Sequence, residues 1–210
     1  MPKVTEAYKQ QKRDAILEGA LDCFSGKGYA GTTIDDIAIH LGVSKGSIYT
    51  YFQSKEDIYI RLMEKRMNTM VNSFKTKFQA HESATEKLNY MFQRFIDQPL
   101  EDLRRLLKFH LEFTIHSSRN EDMQAQMDGN NQKALGMILE VIREGMESGE
   151  FRQELDAGIV TSLFWAVRDG IALHFLSDGT KDQFNRLIHE WKEMLFRYIN
   201  MSYAPRGNTW

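Results

Sequence analysis

Before five runs of helical apolar spacing, a Ser or Thr is followed three residues later by an acid or a glutamine. The pairs are Thr33 with Asp36, Ser54 with Asp57, Ser83 with Glu86, Ser118 with Glu121, and Thr180 with Gln183. Each stands before a run with helical apolar spacing, where the paired side chains satisfy backbone N–H groups left free at a helix start. No stretch alternates apolar and polar residues as a half-buried strand does, and no internal repeat is visible. The three prolines lie far apart, which leaves room for long helices. The chain therefore reads as all-α, with about nine helices at roughly 9–26, 33–41, 44–51, 54–80, 84–97, 100–117, 121–148, 156–177 and 181–201. Gly149 is placed to end the seventh, and Gly179 to turn the chain into the last.

The second and third helices, within DDIAIHLGVSKGSIYTYFQSKED at residues 35 to 57, are unusually short and close together. Ile37 and Leu41 share one face of the second helix, and Ala38 beside them is small enough for another helix to cross closely. Gly42 falls where the chain must turn sharply. Ser44 is a natural N-cap, and Val43, Ile48 and Tyr51 or Phe52 supply inward residues for the third helix. Apolar positions at these separations describe a helix-turn-helix. The outward surface of the third helix carries Ser44, Lys45, Gly46, Ser47, Tyr49 and Thr50, with no acid among them. A helix entering a major groove needs such a surface, because phosphates repel carboxylates and base edges require donors and acceptors. Lys55 opens the fourth helix, where a cation is mildly unfavourable. An outside phosphate would account for it.

The stretch from Arg13 to Asp57, with GYAGTTIDDIA, LGVSKGSIYTYF and SKED, resembles the DNA-binding domain of the tetracycline-repressor (TetR) family. The motif covers about the first quarter of the chain. The remaining all-helical length is similar to the family's regulatory domain but carries little signature of its own. The resemblance implies a three-helix DNA-binding domain over 9–55, continuing into the fourth helix, and a helical ligand-sensing and dimerising domain over 56–203. It implies a homodimeric, ligand-released transcriptional repressor on a palindromic operator. Carried over by residue, Thr33 caps the second helix and touches a phosphate. Ser44, Lys45, Gly46 and Ser47 approach bases or backbone, Tyr49 and Tyr51 bond phosphates, Thr50 faces a base, and Lys55 clamps the backbone. Asp35 and Asp36 stand where some relatives are basic, which argues against base contacts from that turn.

Net charge does not by itself point to nucleic acid, since it is only −2 at pH 7, so the DNA-binding reading rests on local charge placement. The single cysteine, Cys23, excludes an intramolecular disulfide and fits a reducing compartment. The segment MPKVTEAYKQQKRD lacks the apolar run of a signal peptide, and no apolar run approaches the ~20 residues of a membrane span. A cytoplasmic protein without membrane partners is expected. His110, Glu112 and His116 lie close in sequence, but two histidines six apart do not share a helical face as metal ligands do. Asp169 and His174 have no evident catalytic partner, and there is no phosphate-cradling glycine loop. Neither enzyme chemistry, a metal nor a cofactor is expected, and Cys23 reads as a small core residue.

Methionine and aromatic density in the fourth to eighth helices suits an adaptable apolar pocket and suits an ordinary core equally. With the resemblance, Met91, Phe95, Phe109, Phe113, Met137 and Trp165 become candidates to line a site for a largely apolar small-molecule effector. The last helix sets Phe184, Leu187, Ile188, Trp191, Leu195 and Tyr198 at three- and four-residue steps, and the eighth is apolar on more than one face. A helix apolar most of the way round must be covered on two sides. A twofold, four-helix interface using Phe164, Val167, Ile171, Phe184, Ile188, Trp191 and Leu195 is therefore expected.

Overall fold

The helix-start pairs read from the sequence work as caps. Backbone N–H groups donate to Thr33 Oγ1 from Asp36 (3.1 Å), to Ser54 Oγ from Asp57 (3.2 Å), to Ser83 Oγ from Glu86 (3.1 Å) and to Thr180 Oγ1 from Gln183 (3.3 Å). Ser118 differs: its hydroxyl donates backwards to the Ile115 carbonyl at 2.7 Å. The computed structural model describes residues 5–79, 83–118, 121–175 and 177–200, apart from the side chains of 105, 109, 122, 126, 130 and 131. Among the described residues there are nine α-helices and no strand. They are α1 Glu6–Gly31, α2 Ile34–Leu41, α3 Lys45–Tyr49, α4 Lys55–Phe78, α5 Ala84–Asp97, α6 Leu100–Ser117, α7 Glu121–Glu147, α8 Ala157–His174 and α9 Lys181–Asn200. Among these, no helix is long and apolar enough to cross a membrane.

The chain forms two compact units that are not successive in sequence. The first holds residues 1–72 and 104–132, and the second holds 73–103 and 133–210. Helices α4, α6 and α7 thus contribute residues to both, so the contacts do not divide the chain at a single point near residue 55.

In the first unit, Ile16, Leu17, Ala20 and Phe24 turn one face of α1 inward against Ile34, Ile37 and Ala38 of α2 and Ile48 of α3. Regular α1 geometry breaks at Gly28, whose φ of 79° and ψ of 166° favour a residue without a Cβ. That break turns Tyr29 inward. Its ring lies 4.9 Å from Phe113 of α6, nearly perpendicular, while Phe113 stacks on Tyr59 of α4 at 3.6 Å. Phe113, expected in an effector pocket, is fully buried here in the core of the first unit.

In the second unit, Trp191 of α9 packs within 4.7 Å of Phe92, 4.8 Å of Phe164 and 5.8 Å of Phe95. The carboxylate of Glu150 accepts from the Ala84 and Thr85 N–H groups at 3.1 and 2.9 Å, joining the α7–α8 turn to the start of α5. Phe164, Phe184, Ile188, Trp191 and Leu195 are buried in this protomer's own core, which corrects their assignment to a dimer face. Periodicity showed that they are covered, and the cover is α5 and α8. Val167 remains exposed and Ile171 half-buried. The large apolar residues left uncovered on these two helices are Ile159, Leu163, Val167 and Leu173 of α8, and Leu187, Met194 and Tyr198 of α9.

Candidate nucleic-acid interface

The geometry of α2 and α3 follows from a few local signals. Thr33 closes a capping box, its own N–H donating to Asp36 Oδ2 at 2.9 Å. Gly42 ends α2 in the left-handed region at φ 64° and ψ 33°, which turns the chain directly into α3. Ser44 then caps α3, accepting from the Ser47 N–H at 3.2 Å, and the two hydroxyls share a hydrogen bond of 2.8 Å. Ile48, with no exposed surface, anchors α3 to the core, and Phe52 is buried just beyond it. Val43 is exposed, so Ile48 and Phe52 do the work for which Val43 was a candidate.

Opposite Ile48, the residues Ser44, Lys45, Gly46, Ser47, Tyr49 and Thr50 are all exposed. Tyr49 keeps half of its surface in solvent. The Thr50 hydroxyl donates to the Gly46 carbonyl at 3.0 Å, so outward it offers acceptor lone pairs and a methyl group. Tyr51 is half-buried, with the Arg13 guanidinium 6.0 Å from its ring centre. Thr33 is exposed at the start of α2.

Both acids of α2 have partners. Asp36 accepts from Lys27 and from Thr33, which together hold its carboxyl far below the usual range. Asp35 accepts from Lys45 Nζ, across the turn, at 2.8 Å. That hydrogen bond raises the lysine's pKa. Sequence reasoning missed this pairing. Its signal was two opposite charges, each in the first turn of its helix, flanking Gly42.

Lys55 faces inward. Its ammonium donates to the Tyr29 carbonyl at 2.9 Å and sits 4.3 Å from the centre of the Tyr29 ring. The unfavourable place of a cation at an N-terminus thus has a reason inside the fold, where Lys55 ties α4 to the end of α1.

The three α6 residues weighed as an enzyme site meet different partners. His110 Nδ1 shares a hydrogen bond of 2.7 Å with the Tyr59 hydroxyl. Glu112 accepts from the Ala30 N–H at 3.1 Å, beside the Gly28 break. His116 lies 3.8 Å from Glu56, which itself accepts from the Tyr29 hydroxyl at 2.8 Å. These contacts join α6 to α1 and α4 within the first unit. Asp169 pairs with Arg168 at 2.6 Å, and the His174 ring packs 5.6 Å from Phe175. No group of three metal-ligating side chains occurs among the described residues. Cys23 is buried, and desolvation raises its thiol pKa.

Of the pocket candidates, Met91 and Met137 are buried, and Phe95 and Trp165 half-buried, in the second unit. The side chain of Phe109 lies outside the described residues. Trp165 Nε1 is buried with no hydrogen-bond partner among them.

An acid-free polar helix held outward by one buried isoleucine, after a glycine turn, is the reading head of a helix-turn-helix DNA-binding protein. Residues 16–62 match the model for bacterial regulatory proteins of the tetR family, and residues 84–197 match that for the C-terminal part of BetI-type transcriptional repressors. The chain belongs to the TetR family and is a DNA-binding transcriptional regulator. It is 26% identical over 181 residues to an uncharacterized HTH-type transcriptional regulator, YfiR, of Bacillus subtilis, covering 83% of this chain and 86% of that protein. The fold is similar to that of the fatty acid degradation regulator FadR from Bacillus halodurans, with a TM-score of 0.76 and 24% identity over 88% of this chain and 94% of the other. FadR from Bacillus subtilis, in complex with stearoyl-CoA, gives a TM-score of 0.70 and 22% identity over 89% and 99%.

Proposed function

We propose that the chain acts in the cytoplasm as a homodimeric repressor that holds a near-palindromic operator and releases it when a largely apolar small molecule binds. The exposed, acid-free face of α3 carries this reading. Lys45, Gly46, Ser47 and Thr50 approach base edges or the adjoining backbone. The hydroxyls of Tyr49 and Tyr51 meet phosphates, with Thr33 exposed at the start of α2 and Ser44 at the start of α3.

Dimerisation rests on the second unit. Ile159, Leu163 and Val167 recur at four-residue steps along α8 and remain exposed, as do Leu187, Met194 and Tyr198 of α9. Exposed apolar positions recurring along two helices in this way mark an association surface, and a twofold copy covers it with itself. Two recognition helices then read two half-sites about one helical turn apart.

For the effector, Met91, Phe95, Met137 and Trp165 of the second unit supply apolar lining, and the unpartnered Trp165 N–H offers one donor to an incoming acceptor. The stearoyl-CoA complex of Bacillus subtilis FadR is an instance of a ligand with a long apolar chain on this fold. Release requires that the ligand bind one arrangement of the dimer more tightly than the other. Helix α4, which like α6 and α7 contributes to both units, is one covalent route between sensing and reading.

The test is to incubate purified protein with fragmented genomic DNA and sequence what is retained. A shared inverted repeat supports the reading, and fragments with nothing in common refute it.

A further inference from the structure

Asp36 is fully engaged in the fold, by Lys27 and by the Thr33 cap. Asp35, one residue earlier, takes no part in the cap. Its partner among the described residues is Lys45, on the next helix, and both side chains stay about half exposed. An ion pair this exposed adds little to stability. A free carboxylate beside a DNA-reading helix would repel phosphates. The first turn of α2 suits a carboxylate, but approaching phosphates would disfavour one at this exposed place, and the ion pair itself adds little to the fold.

Its geometry has another use. The ammonium donor and carboxylate acceptor stand side by side, 2.8 Å apart. The major-groove edge of a G·C pair presents the complement: the O6 and N7 acceptors of guanine beside the N4–H₂ donor of cytosine. Guanine O6 and cytosine N4 are themselves hydrogen-bonded to each other, so their separation is close to that within the side-chain pair. Lysine to guanine and a carboxylate to cytosine are the pairings their chemistry favours.

We propose that Asp35 and Lys45 act as one specificity unit that reads a single G·C base pair in each half-site, Lys45 donating to guanine and Asp35 accepting from the cytosine amino group. This rests on the DNA-reading role of α3 proposed above, and it makes Asp35, an acid, a positive determinant of sequence choice. Asp35 also keeps the lysine from being drawn to the nearest phosphate. The two side chains then discriminate together, and removing either one removes the same discrimination.

The experiment is selection from random duplexes by the wild-type protein, Asp35→Ala, Lys45→Ala and the double variant, with thermal melting as a check on folding. The expected result is a G·C preference at one position of each half-site, reduced roughly 5-fold or more in each single variant. The double variant loses no more at that position than either single one, while all other positions keep their preferences. The proposal is overturned if Asp35→Ala binds all duplexes more tightly with an unchanged motif, because the acid would then be only a repulsive counter-ion. It is also overturned if the shared position is T·A, or if the two single variants alter different positions. If the wild-type protein selects no motif at all, it is the DNA-reading role of α3 that fails. That outcome is distinct from a motif that Asp35→Ala leaves untouched.

Discussion

Replacing Lys55 with methionine separates the role the fold gives it from the role its place in the sequence suggested. The methionine keeps an apolar stem and removes the charge. Lost with it are the hydrogen bond to the Tyr29 carbonyl, at 2.9 Å, and the contact with the Tyr29 ring, at 4.3 Å. A net hydrogen bond of this kind contributes about 0.5–1.5 kcal/mol, and a partly exposed cation–π contact about 0.5–1 kcal/mol. Removing a cation from the first turn of α4 returns a few tenths, about 0.3 kcal/mol. The balance is a loss of about 1–2 kcal/mol. For a chain of this size that lowers the melting temperature by roughly 2–8 °C. The assay is a thermal melt by circular dichroism, paired with DNA binding measured across a salt series. Lys55→Met should melt early, and its affinity should fall with salt at the same slope as the wild type, since no phosphate contact is lost. A variant that melts normally while its salt slope drops by about one per protomer would refute this reasoning and restore the phosphate clamp.

Three further outcomes are expected. Tyr49→Phe, which removes one exposed hydroxyl, should leave the melt unchanged and weaken operator binding by about 0.5–1.5 kcal/mol per lost bond, as titration by fluorescence anisotropy would show. Leu163→Asp should give folded monomers in sedimentation, whereas Trp191→Asp, buried among Phe92, Phe95 and Phe164, should unfold the protomer. The Glu150 carboxyl is pushed up by burial, but hydrogen bonds from Thr85, Ala84 and Ser148 outweigh this and hold it below its ordinary 4.5. Its contribution is therefore complete above that pH and is lost as pH falls through the depressed folded value, so Glu150→Gln should show a shallower acid-side loss in melts taken across that range.

Local chemistry made most of the reading unit legible in the sequence. Gly42 needs a backbone that only a glycine adopts easily, Ser44 caps within three residues, and Ile48 is the apolar position around which α3 turns its polar side outward. Each of these is decided by neighbours a few residues away. What periodicity cannot tell is which element covers an apolar face. Trp191, Leu195 and Phe184 were legible as buried, but α5 and α8 of the same chain bury them, and the exposed α8 face shifts to Ile159, Leu163 and Val167. The same limit applies to Phe113, which joins Tyr29 and Tyr59 from far along the chain. Lys55 shows it for charge: a cation at a helix start calls for a partner, and the partner is a carbonyl 26 residues upstream. Asp35 with Lys45 was hidden for the same reason, since the turn at Gly42 brings together charges that lie on different helices.

The most direct test of the recognition role of α3 places one carboxylate on its acid-free face. Gly46 is exposed, and a Cβ there meets nothing closer than Ser44 Oγ at 3.9 Å. An acid in the first turn of a helix is favourable to the helix itself. Gly46→Glu should therefore fold and melt as the wild type does, or slightly higher. Its binding to the selected operator, followed by fluorescence anisotropy, should be abolished because the new charge faces phosphates and base edges. A folded Gly46→Glu protein that still binds its operator with wild-type affinity would contradict the account.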